Sequence, residues 1–304
     1  MLSPAYTTKL GKCFNNTIEQ VLDSKKVLKN KSVDLIFTSP PFPLKRKKKY
    51  GNLNGEDYIN WLVSVFSGLL RTLKDNGSIV IEIGNAWDAG VPVMSILPMK
   101  TLLALVEKNG LYLCQQFVWY NKAKLPTPAQ WVNVKRVRVK DAFTHIWWLS
   151  KTPFPKANNK KVLVEYSDSM KALLKTQKYN FGKRPSEHVI GEKSFLKNNS
   201  GAIPSNVLIS SNTQSSSDYL RYCKENNLTP HPARMPSMLP EFFIEFLTEQ
   251  GNVVLDPFGG SNTTGEVCEK LKRKWISVEP ELNYIQSSKG RFYNKLVKDN
   301  VKNN

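Results

Sequence analysis

Apolar positions along the chain fall into short dense runs separated by stretches with helical spacing. Residues 32–39, SVDLIFTS, form a nearly continuous apolar run that ends on two hydroxyls, and predict a buried strand. Residues 55–77 carry apolar side chains at roughly helical spacing, and Asn76-Gly77 supplies a stop signal, so one helix is expected to end there. The pattern then gives a short strand (78–84), a helix closing on a second Asn-Gly (95–110) and a strand (111–120). Buried strands alternating with helices predict an α/β fold with a doubly wound, mostly parallel, Rossmann-like sheet covered on both faces.

The next stretch, 131–150, alternates basic and apolar residues and ends in a strong strand at 143–149. From 151 to 230 sustained periodicity is lost and Lys, Asn and Ser dominate, which predicts an insertion or subdomain with short embedded strands. Order returns with a helix at 240–250, a strand at 252–256, a glycine-rich turn, a helix at 263–273 and a strand at 274–279. One more helix and a frayed basic tail are expected after Glu281. The division expected is thus 1–150, 151–230 and 231–304, the first and last belonging to one domain.

Composition narrows the partners. The 304 residues include 44 basic against 25 acidic side chains, a formal net charge of +19, and 40% of the chain is apolar. A core is affordable, and the charge excess points to a polyanion, most simply nucleic acid. The four cysteines are scattered without a Cys-x-x-Cys pair and there are three histidines, which argues against zinc or disulfides, and so no metal is expected. No apolar stretch suits a signal or membrane span, so a cytoplasmic protein is expected.

Two stretches carry candidate chemistry. In VLDPFGGSNTTG a strand runs into a glycine turn and a helix, where backbone can approach a ligand closely. It lacks both G-x-G-x-x-G and the phosphate-loop lysine, which disfavours a di- or triphosphate. Asp256 ends this strand and Glu279 ends the next, the place where an acid holds ribose hydroxyls. The pair suits an adenosyl ligand with a cationic tail; Asp256 would face its ammonium, Phe258 and Gly259 would shape its pocket. Local capping by Asp256 is the structural alternative.

The second stretch is the corner Ser39-Pro40-Pro41-Phe42. Two prolines hold the backbone extended and leave carbonyls without neighbouring N–H competitors. Those carbonyls and the Ser39 oxygen can accept from an exocyclic amine, while Phe42 can stack on a planar base. Both stretches belong at carboxyl ends of parallel strands, so one composite site is possible. A nicotinamide-dependent oxidoreductase would leave the corner unexplained, and a purely DNA-binding protein would leave Asp256 and Glu279 unexplained.

With its order of motifs, the chain resembles the S-adenosylmethionine-dependent DNA amino-methyltransferases of the β arrangement, cytosine-N4 type. There the catalytic motif comes first, target recognition lies mid-chain and the cofactor motif comes last. The resemblance rests on Thr38 with Ser39-Pro40-Pro41-Phe42, on His231-Pro232-Ala233-Arg234-Met235-Pro236, and on Asp256-Pro257-Phe258-Gly259-Gly260 with its following residues and Glu279. It implies S-adenosyl-L-methionine as cofactor, held by Thr38, His231, Pro232, Asp256, Pro257, Phe258, Gly259 and Glu279. It implies that Ser39 and the Pro40 carbonyl receive the amine of a flipped cytosine stacked on Phe42, with Pro41 stiffening the corner. Serine in first position is the cytosine-type form, and an adenine-N6 enzyme is the nearest alternative. The partners implied are double-stranded DNA and a cognate restriction endonuclease, with a monomer or homodimer equally open.

DNA contacts are expected from the basic run Lys45, Arg46, Lys47, Lys48 and Lys49 directly after the corner. Arg136 and Arg138, spaced to share one strand face, form a second candidate. Base discrimination is expected within 151–230.

Overall fold

The computed structural model describes residues 2–42, 55–212 and 217–301. In chain order the first half contains β1 (Tyr6–Thr7), β2 (Gly11–Phe14), α1 (Ile18–Asp23), β3 (Val33–Thr38), α2 (Gly55–Leu70), β4 (Leu73–Ile83), α3 (Leu97–Asn109), β5 (Tyr112–Tyr120) and β6 (Phe143–Ser150). The remainder contains α4 (Asp168–Thr176), β7 (Gly182–Lys183), β8 (Val189–Ile190), β9 (Val207–Ile209), α5 (Asp218–Glu225), α6 (Met238–Leu247), β10 (Val253–Asp256), α7 (Thr263–Lys270), β11 (Lys274–Val278), α8 (Leu282–Ser288) and β12 (Lys298–Asp299).

Ten of these strands make one sheet in the order β12-β1-β2-β11-β10-β3-β4-β6-β5-β9. The five central strands from β2 to β4 run parallel, and β6 enters antiparallel between β4 and β5. Alternation along the strands feeds two cores. Leu35, Phe37, Val80, Val254 and Trp148 face α6, α7 and α8 through Phe243, Val267 and Ile285. Ile36, Ile79, Ile81, Leu255 and Trp147 face α1, α2 and α3 through Val21, Phe66 and Leu105. The sheet is therefore wound on both faces, as expected from its near-continuous apolar runs. Each fully buried side chain of the size of Phe66 or Phe243 contributes about 1.5–3 kcal/mol.

Several expectations are corrected. The helix ends at Leu70, and Asn76-Gly77 lies inside β4. Arg71 stops the helix by turning its guanidinium to the Leu22 and Leu28 carbonyls, and a register shift between Val33 and Leu35 accommodates the polar stretch as a bulge. Gly77 is needed because a Cβ there would sit 3.0 Å from the Asp34 carbonyl oxygen. The second Asn-Gly does end a helix, with Gly110 in the left-handed region at φ 63°. The basic tail is not frayed throughout: β12 pairs with β1, and buried Lys289 reaches Asp299 at 2.8 Å. Strands β1 and β2 at the N-terminal end were not anticipated.

The chain divides into two compact units, Met1–Ala157 with Asn206–Asn304, and Asn158–Ser205. The second is narrower than the expected 151–230 because β9 pairs with β5 and α5 packs beside the segment after α8. Within it, Ser167 caps α4, β7 and β8 form a hairpin, Val164 bridges Ala202, and Tyr179 meets Phe195 edge-on at 5.5 Å. No helix among the described residues is long and apolar enough to cross a membrane.

Candidate active site

Parallel strands β2, β11, β10, β3 and β4 all end on one edge, where the antiparallel β6 begins. That edge opens into a cleft of about 640 Å³. Its walls include the corner Ser39, Pro40, Pro41 and Phe42 and the turn Asp256, Pro257, Phe258 and Gly259. Glu279 and His231 line it as well. Two motifs far apart in sequence thus share one site, and a hydrogen bond joins them: the Thr38 hydroxyl donates to Asp256 Oδ1 at 2.9 Å.

Asp256 is enclosed by its own fold. Thr264 donates to Oδ2 at 2.6 Å and the Phe258 amide to Oδ1 at 3.2 Å, besides Thr38. A carboxylate has about four acceptor positions, so these donors occupy most of them. Burial pushes the carboxyl up and the three donors oppose the shift. Its first task is to lock the glycine turn to β3, which favours the structural alternative over a bare ammonium contact.

Glu279 is poised differently. Oε2 accepts from the Gly260 amide at 2.8 Å and Oε1 from the Glu281 amide at 2.9 Å, leaving acceptor capacity on both oxygens. Burial pushes its carboxyl up to about 7. Gly259 is held by its amide on the Val278 carbonyl at 2.8 Å, and a Cβ there would meet Ser277 Oγ at 2.0 Å. Gly260 adopts φ 50°, and a Cβ would approach the His231 ring at 3.2 Å. This glycine-made hollow, with an acid at one side and no phosphate-loop lysine, fits an adenosyl group.

His231 leans edge-on against Tyr284 with ring centroids 4.4 Å apart, and its Nδ1 lies 2.8 Å from the Ala233 carbonyl. Arg234 follows it along the cleft, its Nη1 donating to the His231 carbonyl at 2.7 Å. Pro232 is the exception: it is exposed and does not line the cleft, because the segment turns outward between His231 and Ala233.

At the other end of the cleft Ser39 Oγ donates to Glu82 Oε2 at 2.6 Å. Glu82 lies near the end of β4, 3% exposed, with its carboxyl pushed up by burial and drawn back by the Ser39 hydrogen bond. Sequence reasoning passed over it inside an apolar strand, yet a lone acid in a buried run was the available signal. Phe42 lies over Gly84, where a Cβ would meet the ring at 2.8 Å, so glycine makes its seat. Trp119 and Phe143 add aromatic surface, and Asn121 and Lys124 add polar groups.

The DNA-binding candidates separate. Lys45, Arg46, Lys47, Lys48 and Lys49 lie outside the described residues. Arg136 and Arg138 do not share a strand face: the chain forms a π-helical turn at Gln130–Val134, and Arg136 takes φ 52°. Arg138 turns inward to Asp141 at 3.4 Å, whose Oδ2 also accepts from Trp87 Nε1 at 2.7 Å. Arg136 stays exposed. His145 is buried, with Nδ1 3.2 Å from Gln116 Nε2. Among the described residues no group of three or more His, Cys, Asp or Glu is placed to hold a metal ion.

A parallel sheet closed by an antiparallel strand, with a glycine hollow and a proline corner lining one cleft at its edge, is a mixed α/β architecture of Rossmann-like methyltransferase type. More narrowly, the chain belongs to the DNA methylase family N6_N4_Mtase, which it matches over residues 33–290. It is 44% identical over 298 residues to the type II methyltransferase M.PvuII of Proteus hauseri, covering 97% of this chain and 88% of the relative. The solved structure of a PvuII DNA methyltransferase, cytosine-N4-specific, superposes with a TM-score of 0.78 at 38% identity, over 99% of this chain and 92% of that one. The type II methyltransferase M.HpaI of Haemophilus parainfluenzae is 27% identical over 276 residues, 88% of this chain and 70% of the relative.

Proposed function

We propose that the chain is a site-specific DNA methyltransferase that moves a methyl group from S-adenosyl-L-methionine to the N4 amine of a flipped cytosine. The observation that carries this is the Thr38–Asp256 bond, which sets the corner and the glycine hollow on one cleft. The kinship with M.PvuII supports the cytosine assignment. When bound in the hollow, the cofactor supplies a methyl group activated on a sulfonium.

Every other part falls to the chain. Glu279 accepts from the ribose hydroxyls, Gly259 and Gly260 let backbone close on the adenosyl group, and Phe258 and His231 flank it. The cytosine must leave the duplex because its amine is otherwise paired. Phe42 then stacks on the base, and the Pro40 carbonyl and Ser39 oxygen accept its two N–H groups. That arrangement orients the nitrogen lone pair and holds it in line. The amine becomes cationic as it gains a methyl and must lose a proton. Ser39 can take that proton while passing its own to Glu82 through the 2.6 Å bond.

Unit Asn158–Ser205 is the candidate reader of the surrounding sequence, since it stands in the place of the expected recognition insertion. Protection of host DNA against a cognate restriction endonuclease follows as the biological role, in the cytoplasm alongside that DNA. The Ser39→Ala variant tests the site: methyl transfer should drop about 100-fold while cofactor and DNA affinity stay within about threefold. A parallel loss of all three would refute the assigned role.

A further inference from the structure

Between β5 and β6 the chain makes a firm projection at the mouth of the cleft, residues 121–142. Its two feet are cleft residues: Asn121 and Lys124 at one end, Ala142 and Phe143 at the other. Internal bonds stiffen it. The Asn121 amide donates to the Ala142 carbonyl at 2.8 Å, the Val137 amide to Trp131 at 2.9 Å, and the Lys135 amide to Gln130 at 2.9 Å. The Trp87–Asp141–Arg138 contacts pin its base to the body.

This pinned segment nevertheless presents large aliphatic side chains to solvent. Val139 is 87% exposed and Leu125 76%, with Val134 and Val137 also exposed. Exposed lysines and an arginine, Lys122, Lys135, Arg136 and Lys140, are interleaved with them. Scattered surface aliphatics are ordinary; four on one braced projection, among cations and beside a base-binding cleft, call for an apolar occupant flanked by negative charge. Stacked bases between phosphates have that chemistry.

We propose that the 121–142 projection is the wedge that enters the duplex at the target, with Leu125 and Val139 filling the stack the cytosine vacates. Leu125 adjoins the cleft-lining Lys124, and Val139 stands three residues before Ala142. Each is therefore close in chain to the pocket that receives the base. Apolar side chains inserted between base steps are a general means of holding unstacked DNA open, while Lys122, Lys135, Arg136 and Lys140 meet the flanking phosphates. The proposal rests on the methyltransferase reading and adds to it the residues that stabilise the opened duplex.

The test compares methylation by the Leu125→Ala/Val139→Ala variant and the wild-type chain on two duplexes carrying the mapped target. One is fully paired; in the other the base opposite the target is replaced by an abasic site. The variant should lose about tenfold or more relative to wild type on the paired duplex. On the abasic duplex, where unpairing is already done, it should stay within about twofold. Leu125→Met/Val139→Ile should keep wild-type rates on both, as should Leu103→Ala, an exposed aliphatic on α3. Equal loss on both duplexes, loss in the Met/Ile variant, or no loss at all would overturn the wedge. A wild-type chain that binds S-adenosyl-L-methionine but labels neither duplex would overturn the methyltransferase reading, and the wedge with it.

Discussion

Ser39 and Glu82 show how much a single contact can change the meaning of a motif. A serine beside two prolines offers an acceptor; a serine bonded at 2.6 Å to a buried acid also offers a route for a proton. Glu82→Gln keeps an acceptor for the Ser39 hydroxyl but cannot take the proton. Single-turnover methyl transfer should slow about 100-fold with cofactor binding retained; an unchanged rate would exclude the relay. Glu279 yields a prediction with a definite sign. Burial raises its folded carboxyl from 4.5 to about 7, and ribose hydroxyls donate best to the ionised form. Cofactor affinity should therefore climb as pH rises to about 7 and level off above it, with the climb absent in Glu279→Gln. The same group makes the cofactor-free fold less stable as pH rises from 4.5 toward 7, because the folded state retains a proton the unfolded chain has released. Equilibrium titration calorimetry across that range checks the binding limb. Asp256 and Glu279 were legible as acids at strand ends. Their division of labour was not, because it depends on Thr38, Thr264 and the Gly260 amide, which only folding brings near.

Elements were legible where hydrophobic period and stop signals agreed. β3, α3, β5, β10, α7 and β11 all emerge from apolar runs bounded by polar or glycine breaks. The reading failed where a local signal competed with tertiary structure. Asn76-Gly77 looks like a helix stop, but Arg71 ends α2 earlier and the polar pair becomes a bulge in β4. The basic alternation of residues 135–140 looks like a strand, but Asp141 pulls Arg138 inward and exposes the valines instead. The C-terminal stretch looks like a tail, but Lys289, 2% exposed, is neutralised by Asp299 and also reaches the Val301 carbonyl. Asp299→Asn leaves that ammonium buried without its counter-charge. Stability should drop by about 3 kcal/mol, read as a lower urea midpoint with an unchanged slope. An unaltered midpoint would mean the Lys289–Asp299 ion pair contributes nothing to the fold.

The whole molecule is organised by convergence. Parallel strands drawn from both halves of the chain end on one edge, so the corner near the N-terminal end and the glycine turn near the other become two walls of one cleft. That convergence was legible from motif order and from the rule that α/β sheets carry their sites at strand carboxyl ends. The cleft's depth, the aromatic lining from Trp119 and Phe143, and the projection at its mouth were not, since each depends on β6 entering antiparallel. The formal net charge of +19 has the sign that DNA requires. The decisive measurement is incubation of the purified chain with methyl-labelled S-adenosyl-L-methionine and duplex DNA, followed by digestion to nucleosides and mass analysis. The label should appear in N4-methyl-2′-deoxycytidine at one recurring sequence. Label confined to N6-methyl-2′-deoxyadenosine would contradict the cytosine assignment, and cofactor binding without any label in DNA would contradict the central claim itself.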